Sequence, residues 1–348
     1  MKQNINWGII GLGNVAINFA EAFKDLKNAT LISLSSKNSE KLETYKNKFN
    51  IEQEYCFHNY EDLLSCKDID AVYIALPPSL HYEWIIRSIE KKKNILVEKP
   101  ATVSVKEIED VKIKLKDTKL LFTEGLMYRY TPHILKLIEL IKSDKIGNLI
   151  SMESSFGKDI LTKKNMFGLI KKKKPTKKNR IYNKDLGGGV ILDLGCYPVS
   201  LSVLIASTFS QVNCDKIIFL NNKKEIGPTN VDLNSYTELQ FENNFVSKVS
   251  VSFTKDLGST TIINGSKGRL IINNTWQTNS TKIFFEDLNN NKQDINFTNG
   301  ITIFDNIFSY EIDSISKSLL DKKSVPDFPG LSIDESVINM KILERWLS

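Results

Sequence analysis

Gly11-Leu12-Gly13-Asn14-Val15-Ala16 is the stretch that most narrows what this chain can fold into. It follows an apolar run, Asn6 to Ile10 (NWGII), and precedes a segment with Ile17, Ala20 and Phe23 at helical spacing. A G-x-G-x-x-A pattern between a strand and a helix is the turn that cradles a dinucleotide pyrophosphate. Gly11 allows the tight turn, Gly13 lets the backbone approach, and Ala16 permits close helix–strand packing. The N–H groups of Asn14 and Val15, at the helix start, would face the phosphates.

The alternation that begins there continues. Thr30–Leu34 reads as a second strand, ending at Ser35-Ser36-Lys37. An NAD-binding chain places a carboxylate on the ribose 2′-hydroxyl about 20 residues past the motif. This chain has Ser36 and then Lys37. A hydroxyl and a cation suit a 2′-phosphate, so the pair favours NADP and leaves NAD open. A helical turn at 61–66, a strand at 71–76, a helix at 83–92 and a strand at 94–97 follow. With a helix at 105–116 and a strand at 119–123, residues 1–123 are expected to be an α/β Rossmann domain with a doubly wound parallel sheet.

The 94–97 strand (NILV) ends in Glu98-Lys99-Pro100. A charged pair at the end of a buried strand is costly unless it meets a ligand or a partner. The carboxyl edge of an open α/β sheet, where ligands bind, supplies that reason. Pro100 also keeps Lys99 out of the helical region, which constrains its direction.

After residue 123 the texture changes. A helix at 132–142 leads to segments alternating with period two at 149–156, 216–220, 236–241, 246–253, 260–264, 268–273 and 282–286. They predict a large, mostly antiparallel sheet with one wet face. Helices at 306–320 and 333–347 close an α+β C-terminal domain spanning 124–348. Within it, Leu186–Ser200 (LGGGVILDLGCYPVS) sets three glycines before an apolar helical run. Asp193 and Tyr197 stand four apart, the spacing that puts a carboxylate and a phenol on one α-helical face. Pro198 frees a carbonyl one turn earlier and can bend the helix there.

Net charge is +6, but 47 Lys and Arg are mixed with 41 Asp and Glu, so no nucleic-acid groove is expected. The Lys171–Lys178 run (KKKKPTKK) has no interleaved aromatics, and Pro175 interrupts it; it reads as a solvated loop. Cys56, Cys66, Cys196 and Cys214 lack metal-ligand spacing, and with His58, His81 and His133 as the only histidines no metal is expected. Without a signal-peptide pattern or an apolar run of membrane-spanning length, the expected setting is the cytoplasm, with no membrane partner.

Taken together, Gly11–Ala16, Glu98-Lys99-Pro100, Gly187-Gly188-Gly189 and Asp193-x-Gly195-x-Tyr197 resemble the Gfo/Idh/MocA oxidoreductase family over essentially the whole chain. Glu124–Tyr130 (EGLMYRY) is similar to the branch that contains dihydrodiol dehydrogenase and glucose–fructose oxidoreductase. The resemblance implies Lys99 as the catalytic lysine beside the nicotinamide, Tyr197 as proton donor or acceptor, and Asp193 as a substrate-orienting carboxylate. It places Arg129 with Asp193 and Tyr197 on the substrate, and Leu76 and Pro77 in the cofactor loop; His81, just past the 71–76 strand, either touches the cofactor there or packs locally at the helix start. Glu98 either contacts the cofactor or holds the strand end. Leu76 and Pro78 depart from the Thr and Asn that the family usually carries there.

The implied activity is hydride transfer between a nicotinamide and a carbinol or carbonyl carbon of a sugar, sugar derivative or cyclic polyol. A phenol titrates near 10, too high for a base at neutral pH, and a Lys99 ammonium beside it would lower that value. The alternatives are a nucleotide-sugar dehydrogenase or reductase, and a non-catalytic NADP sensor. A homodimer or homotetramer through the C-terminal sheet is the implied assembly.

Overall fold

The structure is a computed structural model describing residues 3–164, 170–208 and 211–348. They divide into two compact units, Met1–Thr131 with Phe304–Val337, and Pro132–Ile303 with Ile338–Ser348.

The first unit is built on β1 (Ile5–Ile10), β2 (Ala29–Ser35), β3 (Cys56–Phe57), β4 (Ala71–Ile74), β5 (Asn94–Glu98) and β6 (Phe122–Gly125). All pair in parallel, in the order β3-β2-β1-β4-β5-β6. Between them run α1 (Asn14–Glu21), α2 (Ser39–Phe49), α3 (Tyr60–Ser65), α4 (Pro78–Glu90) and α5 (Val105–Leu115). This is the expected doubly wound sheet. Its strand order reverses between β1 and β4, and the crevice at such a switch point is where ligands bind. Helix α4 starts at Pro78, five residues before the expected helix; proline's fixed φ suits a first helical position, where no N–H is required.

The expected boundary between residues 123 and 124 is not where the units divide. Helix Ile307–Leu320 belongs to the first unit: its Phe308, Ile312 and Ile315 share a core with Trp7, Phe19 and Tyr73. Trp7 Nε1 donates to Ser316 Oγ at 3.0 Å, and Ser309 Oγ to the Ala22 carbonyl at 3.0 Å. Sequence order alone could not show that this helix returns to the first sheet.

The second unit opens with α6 (Pro132–Lys142) and β7 (Leu149–Gly157). β8 (Thr162–Lys164) and β9 (Ile170–Lys172), not anticipated from the sequence, pair antiparallel. Part of the expected Lys171–Lys178 loop is therefore strand. The side chains of Lys171 and Lys172 lie outside the described residues, whereas Lys173, Lys174, Lys177 and Lys178 are exposed.

Then come α7 (Cys196–Ala206), β10 (Ile218–Ile226), β11 (Asp232–Gln240), β12 (Val246–Ser252), β13 (Thr261–Gly265), β14 (Gly268–Asn273), β15 (Lys282–Asp287) and β16 (Lys292–Ile295). The eight-stranded sheet runs β10-β11-β12-β7-β13-β14-β15-β16, antiparallel except for the β12–β7 pair. Met152 and Ser154 of β7 are buried and Glu153 between them is exposed, the alternation of a sheet covered on one face. Every residue of α7 is buried, and Ser202 Oγ meets Ser247 Oγ of β12 at 2.7 Å.

The helical run Lys184–Ala206 is long and apolar enough to cross a membrane by length and composition, contrary to the expectation that no such run exists. Its burial against the unit's own sheet identifies it as a core helix.

Candidate active site

In the first unit the glycine turn is built as its residue types require. Gly11 has φ +90°, and a side chain there would put its Cβ 2.6 Å from Leu76 Cδ2 and 2.7 Å from the Ala75 carbonyl. The turn after β1 is thus packed directly against the end of β4, at the switch point. Leu76, a departure from the resemblance, is the residue leaning on it. Gly13 has open space where a Cβ would be, and it precedes α1 without a side-chain cap on the helix's first N–H groups. Ala16 is fully buried, as close helix–strand packing demands. Open space at Gly13 and a helix end with uncapped N–H groups fit a pyrophosphate. Tyr45, which sequence reasoning missed, fixes the turn by donating its hydroxyl to the Gly13 carbonyl at 2.9 Å.

At the end of β2, Ser36 is buried and its Oγ accepts the Asn38 N–H at 3.1 Å. Lys37 is exposed, with Nζ 5.6 Å from the centre of the Tyr60 ring. At the end of β5, Glu98 is buried; its carboxylate accepts the Tyr73 hydroxyl, and Oε2 also accepts the Lys99 N–H at 3.3 Å. Of the two roles left open for Glu98, these are the contacts of a strand-end anchor. Lys99 is half-buried and follows directly, so its backbone is held by the residue before it.

His81, read as a residue either touching the cofactor or packing locally at the helix start, is fully buried in α4. Its Nδ1 lies 2.9 Å from the Pro100 carbonyl and its Nε2 2.8 Å from the Leu76 carbonyl. The ring therefore ties the loop after β4 to the residue following Lys99, and burial leaves it no surface for a ligand. Pro77 sits half-buried between Leu76 and α4 as the residue preceding the helix.

Arg129 is corrected in the same way. Its side chain is 0% exposed, its Nη2 pairs with Glu335 at 2.8 Å, and its Nε donates to the Pro329 carbonyl at 2.6 Å. Removing one partner of such a buried pair destabilises by about 3–5 kcal/mol. Its place is structural, not on the substrate.

In the second unit, Tyr197 opens α7 at 6% exposure within an aromatic group. Its ring meets Phe156 edge-on at 5.2 Å and Trp276 at 5.7 Å, and Trp276 Nε1 donates to the Ser155 carbonyl at 3.1 Å. Each such aromatic pair adds about 0.5–1.5 kcal/mol beyond buried area, enough to hold one ring orientation. Asp193 lies in a π-helical turn, Ile191–Gly195, immediately before α7. The expected α-helical i,i+4 relation to Tyr197 is therefore interrupted by that turn, which is where the break anticipated from Pro198 falls. Asp193 Oδ1 accepts Arg180 Nη2 at 3.0 Å. Arg180, just past the basic run, was hidden by its lysine neighbours; its signal is its position ahead of the triple glycine.

The profile of the oxidoreductase family with an NAD-binding Rossmann fold, GFO/IDH/MocA, matches residues 5–126, and the profile of its C-terminal domain matches residues 134–271. The chain belongs to the GFO/IDH/MocA oxidoreductase family. Among its relatives, trans-1,2-dihydrobenzene-1,2-diol dehydrogenase of Xenopus tropicalis is 23% identical over 348 residues, covering 98% of this chain and 96% of that protein. Two solved structures share the fold. Aldose-aldose oxidoreductase from Caulobacter crescentus, complexed with glycerol, superposes with a TM-score of 0.84 at 19% identity over 99% of this chain and 96% of that one. A 3-ketoreductase from Actinomadura kijaniata, in complex with NADP and TDP-benzene, gives 0.79 at 20% identity over 98% and 96%.

Within this GFO/IDH/MocA Rossmann unit, one more group bears on behaviour in solution. Glu124, at the end of β6, is buried, accepts Ser336 Oγ at 2.9 Å and the Ala101 N–H at 3.2 Å, and burial pushes its pKa up to about 7. Glu311 is buried too, and burial together with nearby Glu98 raises it well above the usual carboxylate range. Such a group binds its proton more tightly folded than unfolded, so its stabilisation is full below about 4.5 and is lost as pH rises through about 7. For Glu124 the loss is about 3 kcal/mol. Glu124→Gln, which resembles the protonated form, is expected to flatten the fall in Tm between about pH 5 and 8; an unchanged slope would remove Glu124 as its source.

Proposed function

We propose that this protein is an NADP(H)-dependent oxidoreductase acting at a carbinol or carbonyl carbon of a sugar, sugar derivative or cyclic polyol. One observation carries the reading: the chain combines a glycine turn at the switch point, open at Gly13, with a Lys99 held by its strand end and a Tyr197 fixed in an aromatic group. The relatives support the substrate class, since they include a D-xylose 1-dehydrogenase (NADP(+)) from Haloferax volcanii alongside the aldose oxidoreductase.

Gly11, Gly13 and the N–H groups of Asn14 and Val15 would hold the pyrophosphate, with Ser36 and Lys37 at the ribose. When bound, the nicotinamide supplies or accepts the hydride. Everything else is acid–base work by the chain. Tyr197 passes the proton to or from the substrate oxygen, and Lys99 serves as the catalytic lysine at the nicotinamide. Asp193, oriented by Arg180, accepts a hydrogen bond from a substrate hydroxyl.

Turnover of NADPH against aldoses, inositols and diketones tests this. Binding of NADPH with no oxidation across the panel would instead support a sensor, and turnover restricted to nucleotide-linked sugars would support the narrower reductase. Cofactor choice has its own test. Ser36→Asp puts a carboxylate where the 2′-phosphate would lie and is expected to raise the Kd for NADP about tenfold or more while sparing NAD. An unchanged ratio of the two Kd values would mean that the β2 end does not read the ribose.

The open face of the eight-stranded sheet is assigned to self-association, with Ile218, Leu220 and Ile226 of edge strand β10 exposed at 55%, 50% and 57%. A monomer by light scattering would oppose it. Four cysteines, none in a disulfide among the described residues, support the reducing cytoplasm as the setting.

A further inference from the structure

The triple glycine before the Asp193–Tyr197 segment is not an open approach for a ligand. A side chain on Gly188 would put its Cβ 2.6 Å from the Arg180 carbonyl and 2.7 Å from the Asn183 carbonyl. Gly188 N–H donates to the Asn183 carbonyl and Gly189 N–H to the Ile181 carbonyl, both at 2.9 Å. Gly189 adopts φ +120°, and the place its side chain would take is filled by Asp232 Oδ1. The other oxygen of that carboxylate, Oδ2, accepts the Ile191 N–H at 2.6 Å. Asp232 comes from the start of β11, at an irregular step in its pairing with β10, and is 4% exposed.

We propose that Asp232 is the positioning residue for Asp193, locking the glycine turn so that the π-helical segment starts in one orientation. The mechanical path is short. Asp193 N–H donates to the Gly189 carbonyl at 3.1 Å, and Asp232 fixes Gly189 by contact and Ile191 by hydrogen bond. The same knot carries the Ile181 carbonyl, one residue after Arg180, whose guanidinium holds Asp193 Oδ1. Asp232 therefore governs both Asp193 and its partner.

The chemistry explains why the residue is an acid. A carboxylate presents acceptors to more than one N–H of a helix start and meets the positive end of its dipole. Burial pushes the Asp232 pKa up, opposed by the N–H bonds of Ile191 and Val190 and by Lys224. Burying a carboxylate is expensive where an ordinary Ser or Asn cap would end a helix. Its use across 41 residues of sequence points to orientation more than to capping.

The inference rests on the reading that Asp193 acts at the active centre, so its test separates the two. Asp232→Ala and Asp232→Asn are compared with wild type in the full-length protein. For a substrate that wild type turns over, Asp232→Ala is expected to lower kcat about 10- to 100-fold, the scale of a misplaced reacting group, with the NADPH Kd unchanged. Asp232→Asn, which keeps one acceptor for Ile191, is expected to restore kcat to within a few-fold. A helix that was merely capped would lose Tm without this split between kcat and cofactor binding.

Amide hydrogen exchange over 189–193, which needs no substrate, is expected to rise at least about tenfold in Asp232→Ala with the β7 and β12 amides unchanged. An Asp232→Ala protein with wild-type kcat, or with wild-type exchange at 189–193, overturns the proposal. A wild type inactive on every substrate refutes the catalytic reading instead, and exchange alone then decides whether Asp232 orients the turn. If Asp232→Ala does not fold, Asp232→Asn with wild-type kcat and exchange supports the retained acceptor, and Gly189→Ala, which forces the carboxylate out, must reproduce the loss.

Discussion

Lys99→Ala is expected to lower kcat at least about 100-fold, the usual loss when general acid–base help is removed. In free-energy terms that is about 2.7 kcal/mol of transition-state stabilisation. The fold should not suffer: Lys99 is only half-buried, and the strand end is held by Glu98 through Tyr73 and the Lys99 backbone N–H, none of which the substitution removes. The Kd for NADPH is expected to change no more than about threefold, since the pyrophosphate and ribose contacts are assigned to the ends of β1 and β2 and Lys99 follows β5. Steady-state kinetics beside a fluorescence titration separates the effects. A kcat within a few-fold of wild type removes Lys99 from the mechanism.

Tyr197→Phe carries the second large effect, again about 100-fold or more in kcat. The Phe156 and Trp276 contacts are made by the ring and survive, so Tm should stay within about 1 kcal/mol-equivalent of wild type. The pH profile adds a sign. Substrate oxidation needs a proton acceptor and should rise with pH in wild type; reduction needs a donor and should fall. Both limbs are expected to disappear in Tyr197→Phe. A double-mutant cycle with Lys99→Ala asks whether the two act together, and additive losses would mean that they act independently.

The first sheet was legible because parallel buried strands announce themselves as apolar runs between helical periods, and NWGII and NILV are such runs. Gly11, Gly13 and Ala16 were legible because each has a backbone task that other residues perform badly. The return of Ile307–Leu320 to the first unit was not, since nothing local to a helix records which of two cores its apolar face will join.

His81 and Arg129 carry polar groups that look free in a sequence and are consumed by carbonyls and by Glu335 in the fold. Arg180 and Asp232 were missed for the converse reason. Their partners, Asp193 and Ile191, lie 13 and 41 residues away, beyond any spacing rule.

The central claim is hydride chemistry assisted by Lys99 and Tyr197, and one measurement meets it directly: the mass of the product formed with NADPH deuterated at the nicotinamide C4 in ordinary water. With an accepted sugar or diketone, one deuterium is expected on the new carbinol carbon, at a rate lost in Lys99→Ala and Tyr197→Phe. Product without deuterium, or no product across the panel despite bound NADPH, would contradict the account.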